Sequence, residues 1–379
     1  MTQPLPYSPG LENVVATTTR ISYLDVEHEQ IVVRGYDLIE LARKRPYLDV
    51  AYLLLYERLP DAAESAAFRE TLRREASLPE EMYRLFALLP KTTDPMDALR
   101  TGLSFLAGYE DPAFLADTSR EANLRKGLRI LARAPIIAAN AYRALQDQPF
   151  VEPDPALDFS ENFLWMILGR RPDDLAVRVF DTILTCYIEH ELPNSTFAAR
   201  VIASTLSDIY AAVVGAVASL KGPLHGGANE AAIRMLLEIH EQGGPARAEA
   251  YVLERLHRKE RIMGFGHRVY MRRHDPRALL LQDFIPLLVD RRPEGRELYE
   301  IYQTVERVML REKGIPPNTD YPIGLLLYLM EVPIPLYTPI FLCARVAGLV
   351  AHVVEQHENN RLYRPRVLYE GPRGLRVPE

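Results

Sequence analysis

Lys221-Gly222-Pro223-Leu224-His225-Gly226-Gly227-Ala228-Asn229-Glu230 sets one histidine between two glycine-containing turns, with helical sequence on either side. Ile209–Leu220 ahead of it is a run of small and apolar residues. Behind it a helical pattern starts near Ala228 and carries Ile233, Met235, Leu236 and Ile239. The stretch reads as helix, loop, helix. His225 therefore falls at or just before a helix N-terminus, where unsatisfied N–H groups and the positive end of the helix dipole keep an imidazole neutral and welcome an anion. Such a histidine can donate a hydrogen bond without carrying charge, or it can simply satisfy a backbone group.

Working outward, almost every segment from Tyr36 on has helical period. Val50, Ala51, Leu53, Leu54 and Leu55 form an apolar helix stopped by Pro60, and residues 62–76 follow with a charged face. Asp94-Pro95-Met96-Asp97 is a helix start, with an acid at the cap and proline in the first turn. The helix behind it carries Ala98, Gly102, Ser104, Ala107 and Gly108, small residues suited to close approach in a core or across a subunit interface. Residues 123–145 form a long helical pattern expected to kink or divide at Pro135. Residues 17–21 and 30–33 are rich in Thr, Ile and Val and predict a minor β-hairpin near the N-terminus. The fold class is all-α.

The chain has 379 residues, enough for two domains or one large domain with an insertion, and its net charge of -6 argues against a general nucleic-acid binder. Its two cysteines, Cys186 and Cys343, lie in apolar helical sequence and read as buried thiols in a reducing compartment. Residues 1–10 lack the order of a signal peptide, and Arg345 interrupts the most apolar C-terminal run, so a soluble cytoplasmic protein is expected. There is no His-Glu-x-x-His, no close cysteine pair and no loop of alternating acids, hence no metal site is expected.

Four further polar stretches stand out. In Glu189-His190-Glu191-Leu192-Pro193-Asn194-Ser195-Thr196, Asn194 or Ser195 can cap the next helix. Arg261-Ile262-Met263-Gly264-Phe265-Gly266-His267-Arg268-Val269-Tyr270 holds two glycines that let backbone approach a ligand, and continues to Asp275-Pro276-Arg277. Pro316-Pro317-Asn318-Thr319-Asp320-Tyr321-Pro322 predicts a stiff loop with Asp320 in extended backbone. Residues 339–356 place Arg345 inside an apolar helix, where a buried cation needs a counter-anion; Arg361 and Arg364 follow. Histidines, one fixed aspartate and several arginines suit proton abstraction next to a carbonyl on an anionic substrate.

Together these stretches resemble the citrate synthase family. Gly222 to Glu230, Met263 to Tyr270 and Asp275-Pro276-Arg277-Ala278 are similar to its signatures in the same order. Arg34-Gly35-Tyr36-Asp37, Leu53-Leu54-Leu55-Tyr56, Pro95-Met96 and Thr338-Pro339-Ile340-Phe341 extend the likeness over nearly the whole chain. The resemblance implies a multi-helical homodimer with a large domain (residues 1–222 and 329–379) and a small domain (223–328) that closes over the substrates.

It also implies condensation of acetyl-CoA with oxaloacetate, then hydrolysis of the citryl thioester to citrate and CoA, a step of the tricarboxylic acid cycle. Asp320 would be the base, His225 the donor to the thioester oxygen, and His267 the group that polarises and protonates the ketone. His190, Arg277 and Arg345 would hold oxaloacetate, with Arg364 supplied by the other subunit. Arg261, Met263, Gly264, Phe265, Gly266, Arg268 and Arg272 would contact CoA. No cofactor, metal, nucleic acid or membrane is implied; acetyl-CoA is a substrate.

The chain departs from the family pattern in three places. Residues 268–276 make the interval between His267 and Arg277 one residue longer than usual, with Met271 where lysine is common. Asp320 is followed by Tyr321-Pro322-Ile323-Gly324 instead of Phe-Tyr-Ser-Gly, and His190 by the uncommon Glu191-Leu192-Pro193-Asn194. These leave propionyl-CoA, and so 2-methylcitrate synthesis, as the rival reading. A non-catalytic helical binding or regulatory protein of the same fold is the reading from another class.

Overall fold

The computed structural model describes residues 7–266 and 273–378. Several of its helices begin where the sequence supplies caps. Asp94 accepts from the Met96 N–H at the start of Pro95–Leu106, and Asp61 and Glu64 make reciprocal cap bonds at Ala62–Glu75. Asp173 and Asp208 cap Asp174–Tyr187 and Ile209–Leu220 in the same way. Each cap contributes about 1 kcal/mol. Among the described residues there are eighteen α-helices, from Leu38–Lys44 to Tyr337–Glu358, and one small sheet.

The sheet is larger than a hairpin and begins later than expected. Ser22–Asp25 pairs antiparallel with Gln30–Val33, which pairs in turn with the two-residue strand Tyr36–Asp37. Residues 17–21 stay outside it, and side chains have claimed the donors of the last two: Arg20 N–H donates to Glu355 and Ile21 N–H to Thr19 Oγ1. The second turn, at Arg34 and Gly35, has φ of 47° and 87°, the pair of positive angles that matches the twist of a two-residue hairpin.

Tyr337–Glu358 is the axis of the molecule. It packs against Arg120–Leu145, Asn194–Ala203, Ile209–Leu220, Tyr47–Tyr56 and Asp174–Tyr187. Ile340, Leu342, Val346, Leu349 and Val353 are fully buried, and each such side chain contributes roughly 1.5–3 kcal/mol. Despite Arg345, this helix is long and apolar enough to cross a membrane, but 89% of its most apolar stretch is buried inside the protein. It is the core helix of a helical bundle. Arg120–Leu145 runs unbroken through Pro135, so the expected division does not occur; the residues around the proline are buried, and neighbouring helices hold the backbone where one hydrogen bond is missing. On Pro95–Leu106, Ala98 and Gly102 face inward, whereas Ser104 is exposed.

A second set of helices packs chiefly on itself: Ala228–Glu241, Pro245–His257, Pro276–Gln282, Ile285–Arg291, Arg296–Lys313 and Asp320–Leu329. It meets the first set where Ala228–Glu241 touches Tyr337–Glu358 and where Pro276–Gln282 and Asp320–Leu329 touch Asp174–Tyr187. The polar stretches of the sequence converge on that seam.

Candidate active site

Asp174–Tyr187 ends at the seam, and its last residue is a fully buried tyrosine. The Tyr187 hydroxyl donates to Asp320 Oδ1 at 2.7 Å and accepts from Asn229 Nδ2 at 3.1 Å. Its carbonyl accepts from Arg345 Nε at 2.6 Å. Asp320 is not in extended backbone as the flanking prolines suggested: it is the first residue of the helix Asp320–Leu329, with Pro322 in the first turn. Proline costs nothing there, since first-turn N–H groups have no partner within the helix. Asn318 Oδ1 accepts from the Asp320 N–H at 3.1 Å and fixes the entry.

His225 lies in the loop ahead of Ala228–Glu241, as the sequence indicated. The loop is closed by the His225 N–H to Gly222 O and the Gly226 N–H to Leu220 O, each 2.9 Å. A Cβ on Gly226 would strike the Leu220 carbonyl and come within 2.9 Å of Thr338 Cγ2, so the turn requires glycine. The Ser195 N–H donates to His225 Nε2 at 3.2 Å, and the Ser195 hydroxyl lies 2.8 Å from the same nitrogen. A backbone N–H can only donate, so Nε2 is the acceptor and the ring proton of the neutral imidazole sits on Nδ1. Burial, reinforced by the charge of Arg345, lowers the His225 pKa to about 4. Neither Asn194 nor Ser195 caps Asn194–Ala203; Pro193 occupies the cap position, Ser195 is drawn to His225, and Asn194 Oδ1 accepts from Ser219 Oγ.

Burial raises the Asp320 carboxyl to about 6, against the opposing pull of Tyr187, Arg277 and Arg345. Arg345 is itself lowered to about 10 by burial, with Glu189 favouring its charge. Its Nη1 is buried with no hydrogen-bond partner among the described residues, and its guanidinium lies 4.9 Å from the Phe341 ring centre. Tyr187 stacks on that same ring at 4.1 Å. Asp275 aims Arg277, accepting from Nε at 3.0 Å and Nη2 at 2.7 Å. His190 is buried in the same turn as Glu189, which accepts from Ser22 Oγ at 2.9 Å and lies 3.1 Å from His352 Nε2. Cys186 and Cys343 are buried free thiols.

The glycine loop is fastened to the Asp320 loop. Asn318 N–H donates to Gly264 O at 2.9 Å, Asn318 Nδ2 donates to Gly266 O at 3.0 Å, and the Phe265 and Tyr321 rings are 4.7 Å apart. Gly264, at φ 83°, has Tyr321 Cδ2 only 2.6 Å from where a Cβ would stand. Arg261 is exposed, and Met263, Phe265 and Gly266 are half-buried. His267, Arg268 and Arg272 lie outside the described residues. Arg364 sits exposed on the C-terminal segment, its guanidinium reaching the Pro365 carbonyl at 3.5 Å, and is not drawn to the seam.

Sequence reasoning missed Tyr187, the hydroxyl of Ser195 and the amide of Asn229 as parts of the site. The one signal for Tyr187 was a polar-tipped aromatic three residues before His190. What the geometry provides is a carboxyl poised near neutrality, a neutral imidazole with a proton on Nδ1, and two buried guanidinium groups. That combination can abstract a weakly acidic proton beside a carbonyl and hold a carboxylate-bearing partner.

The family model described as citrate synthase, C-terminal domain, matches residues 10–366. The citrate/2-methylcitrate synthase of Bacillus subtilis is 50% identical over 367 residues, covering 97% of each chain. The citrate synthase of Heyndrickxia coagulans is 47% identical over 373 residues, 98% of each. Among solved structures, the ternary complex of carboxymethyl coenzyme A and oxaloacetate with citrate synthase from Thermoplasma acidophilum superposes with a TM-score of 0.91 at 33% identity, covering 98% of both chains. With the match spanning nearly all its length and the helical fold in common, the chain belongs to the citrate synthase family.

Proposed function

We propose that this enzyme condenses acetyl-CoA with oxaloacetate and hydrolyses the product to citrate and CoA, with Asp320 as the base. The observation that carries the reading is the convergence at one seam of the Asp320 carboxyl held by Tyr187, the His225 imidazole whose Nε2 accepts from Ser195, and the buried Arg277 and Arg345. Burial raises the carboxyl to about 6 and lowers the imidazole to about 4, which suits an anion and an uncharged donor at neutral pH. Asp320 takes a proton from the methyl group of the thioester. The His225 Nδ1–H stabilises the oxygen that gains charge, giving the enol. The enol carbon then bonds to the ketone carbon of oxaloacetate, whose oxygen receives a proton from His267. Water cleaves the citryl thioester.

Arg345, whose buried Nη1 has no partner among the described residues, and Arg277, held by Asp275, bind the oxaloacetate carboxylates with His190. The glycine loop around Gly264, Phe265 and Gly266, with Arg261, Met263, Arg268 and Arg272, lies toward CoA. Residues 223–328 act as a small domain that closes on the remainder, which is supported by the self-packing of their helices. Arg364 completes the site of a second copy in a homodimer; its exposure and that of Leu362, Val367, Leu368 and Leu375 on the same C-terminal segment support a segment that reaches another subunit. Two free buried thiols support a reducing, cytoplasmic setting.

Propionyl-CoA is the second reading, favoured by the dual name of the Bacillus subtilis relative. One methyl group is worth about 1–3 kcal/mol in an apolar pocket, so both thioesters react. The test is kcat/KM for each thioester at saturating oxaloacetate, read as free CoA thiol. Acetyl-CoA is expected to lead; a clear propionyl preference makes the enzyme a 2-methylcitrate synthase with the same residue roles.

A further inference from the structure

We propose that Tyr187 is a positioning residue for the base: its hydroxyl, itself anchored by Asn229, holds one oxygen of Asp320 and leaves the other to take the proton. The inference rests on the proposed role of Asp320. Three helices meet on this hydroxyl, Asp174–Tyr187 through Tyr187, Ala228–Glu241 through Asn229 and Asp320–Leu329 through Asp320. The geometry is directional. Asn229 Nδ2 donates into the Tyr187 oxygen, so the hydroxyl hydrogen is left for Asp320 Oδ1, at 2.7 Å. Asp320 Oδ2 makes no hydrogen bond to any described residue. The ring has no freedom to wander, being fully buried and stacked on Phe341 at 4.1 Å.

Tyr187 also ties the base to the substrate cations. Its carbonyl holds Arg345 Nε at 2.6 Å, and the carbonyl of Cys186, one residue earlier, accepts from Arg277 Nη1 at 3.4 Å. The last turn of one helix thus sets the spacing between the proton acceptor and two guanidinium groups. Burial, with the neighbouring negative charge of Asp320, drives the Tyr187 pKa far above its ordinary value, so the group stays a donor. Among the described residues, the charged and titratable groups facing Asp320 are Tyr187, Arg277, Asp275 and Arg345. Among the described residues Tyr187 alone donates it a side-chain hydrogen bond.

Tyr187→Phe keeps the stacked ring and the backbone carbonyls and deletes the donor. The anion of Asp320 loses a partner, so its pKa rises. Acidic-side kcat profiles for CoA release are compared for wild type and variant. The expected result is a limb displaced upward by about 1 pH unit, a plateau kcat lowered about 10-fold, and a KM for oxaloacetate within about twofold of wild type, because Arg345 keeps its carbonyl partner. Asn229→Asp, which turns the hydroxyl away from Asp320, is the second variant and is expected to move the limb the same way. An unmoved limb in the folded variants, whatever the loss of rate, overturns the positioning role. A wild type that releases no CoA from either thioester overturns instead the reading on which it rests.

Discussion

Asp320 sits where its charge is costly: burial raises its carboxyl above the usual aspartate range to about 6, although Tyr187, Arg277 and Arg345 all favour the anion. A folded-state pKa above the unfolded one means that the native protein holds the proton longer. Stability therefore declines as pH rises from about 4 to about 6 and stays reduced above that window, by up to about 3 kcal/mol. Asp320→Asn, which mimics the protonated group, is expected to melt at a higher temperature than wild type at pH 8, with the gap closing at pH 4; equal melting at both pH values would refute this electrostatic cost. His225 shifts the other way, to about 4, so it is already neutral where activity rises and the acidic limb belongs to Asp320. His225 and Asp320 were legible in the sequence because their types, order and neighbours point to one chemistry. Tyr187 was not: its partner is 133 residues away, and an aromatic at the end of an apolar helix reads as core.

At the scale of elements, the sequence was reliable wherever the deciding interaction is local. The Asp94-Pro95 start is capped as expected, and the His225 loop ends where Ala228–Glu241 begins. It misled where a distant partner claims a side chain. Ser195 has the residue type of a cap but turns to His225, 30 residues on, and Asp320 joins a helix that its prolines disguised as a loop. The His225 loop yields a sharp expectation. In Gly226→Ala the new methyl meets the Leu220 carbonyl and Thr338, and backbone cannot give way as a flexible side chain can. A loss of about 1–3 kcal/mol in chemical denaturation is expected, together with a lower kcat as the imidazole shifts. Wild-type stability and kcat in this variant would show that the loop is not the rigid mount described.

The whole molecule is two groups of helices around a seam, with Tyr337–Glu358 as the axis of the larger. Its apolar length and its arginine were both visible in the sequence; that Tyr187, Glu189 and Asp320 surround the arginine was not. The sheet was half-legible, because the donors of Arg20 and Ile21 are taken by groups that periodicity does not reveal. The two groups of helices build the seam by meeting there, Asp320 and His225 coming from one and Arg345 and Tyr187 from the other. The most direct measurement is the rate of CoA thiol release from acetyl-CoA, with and without oxaloacetate, by wild type and Asp320→Asn. Release by wild type is expected to require oxaloacetate and to fall by about 10² to 10⁴-fold in the variant, with oxaloacetate affinity little changed. Release without oxaloacetate, or an undiminished rate in Asp320→Asn, would contradict the account.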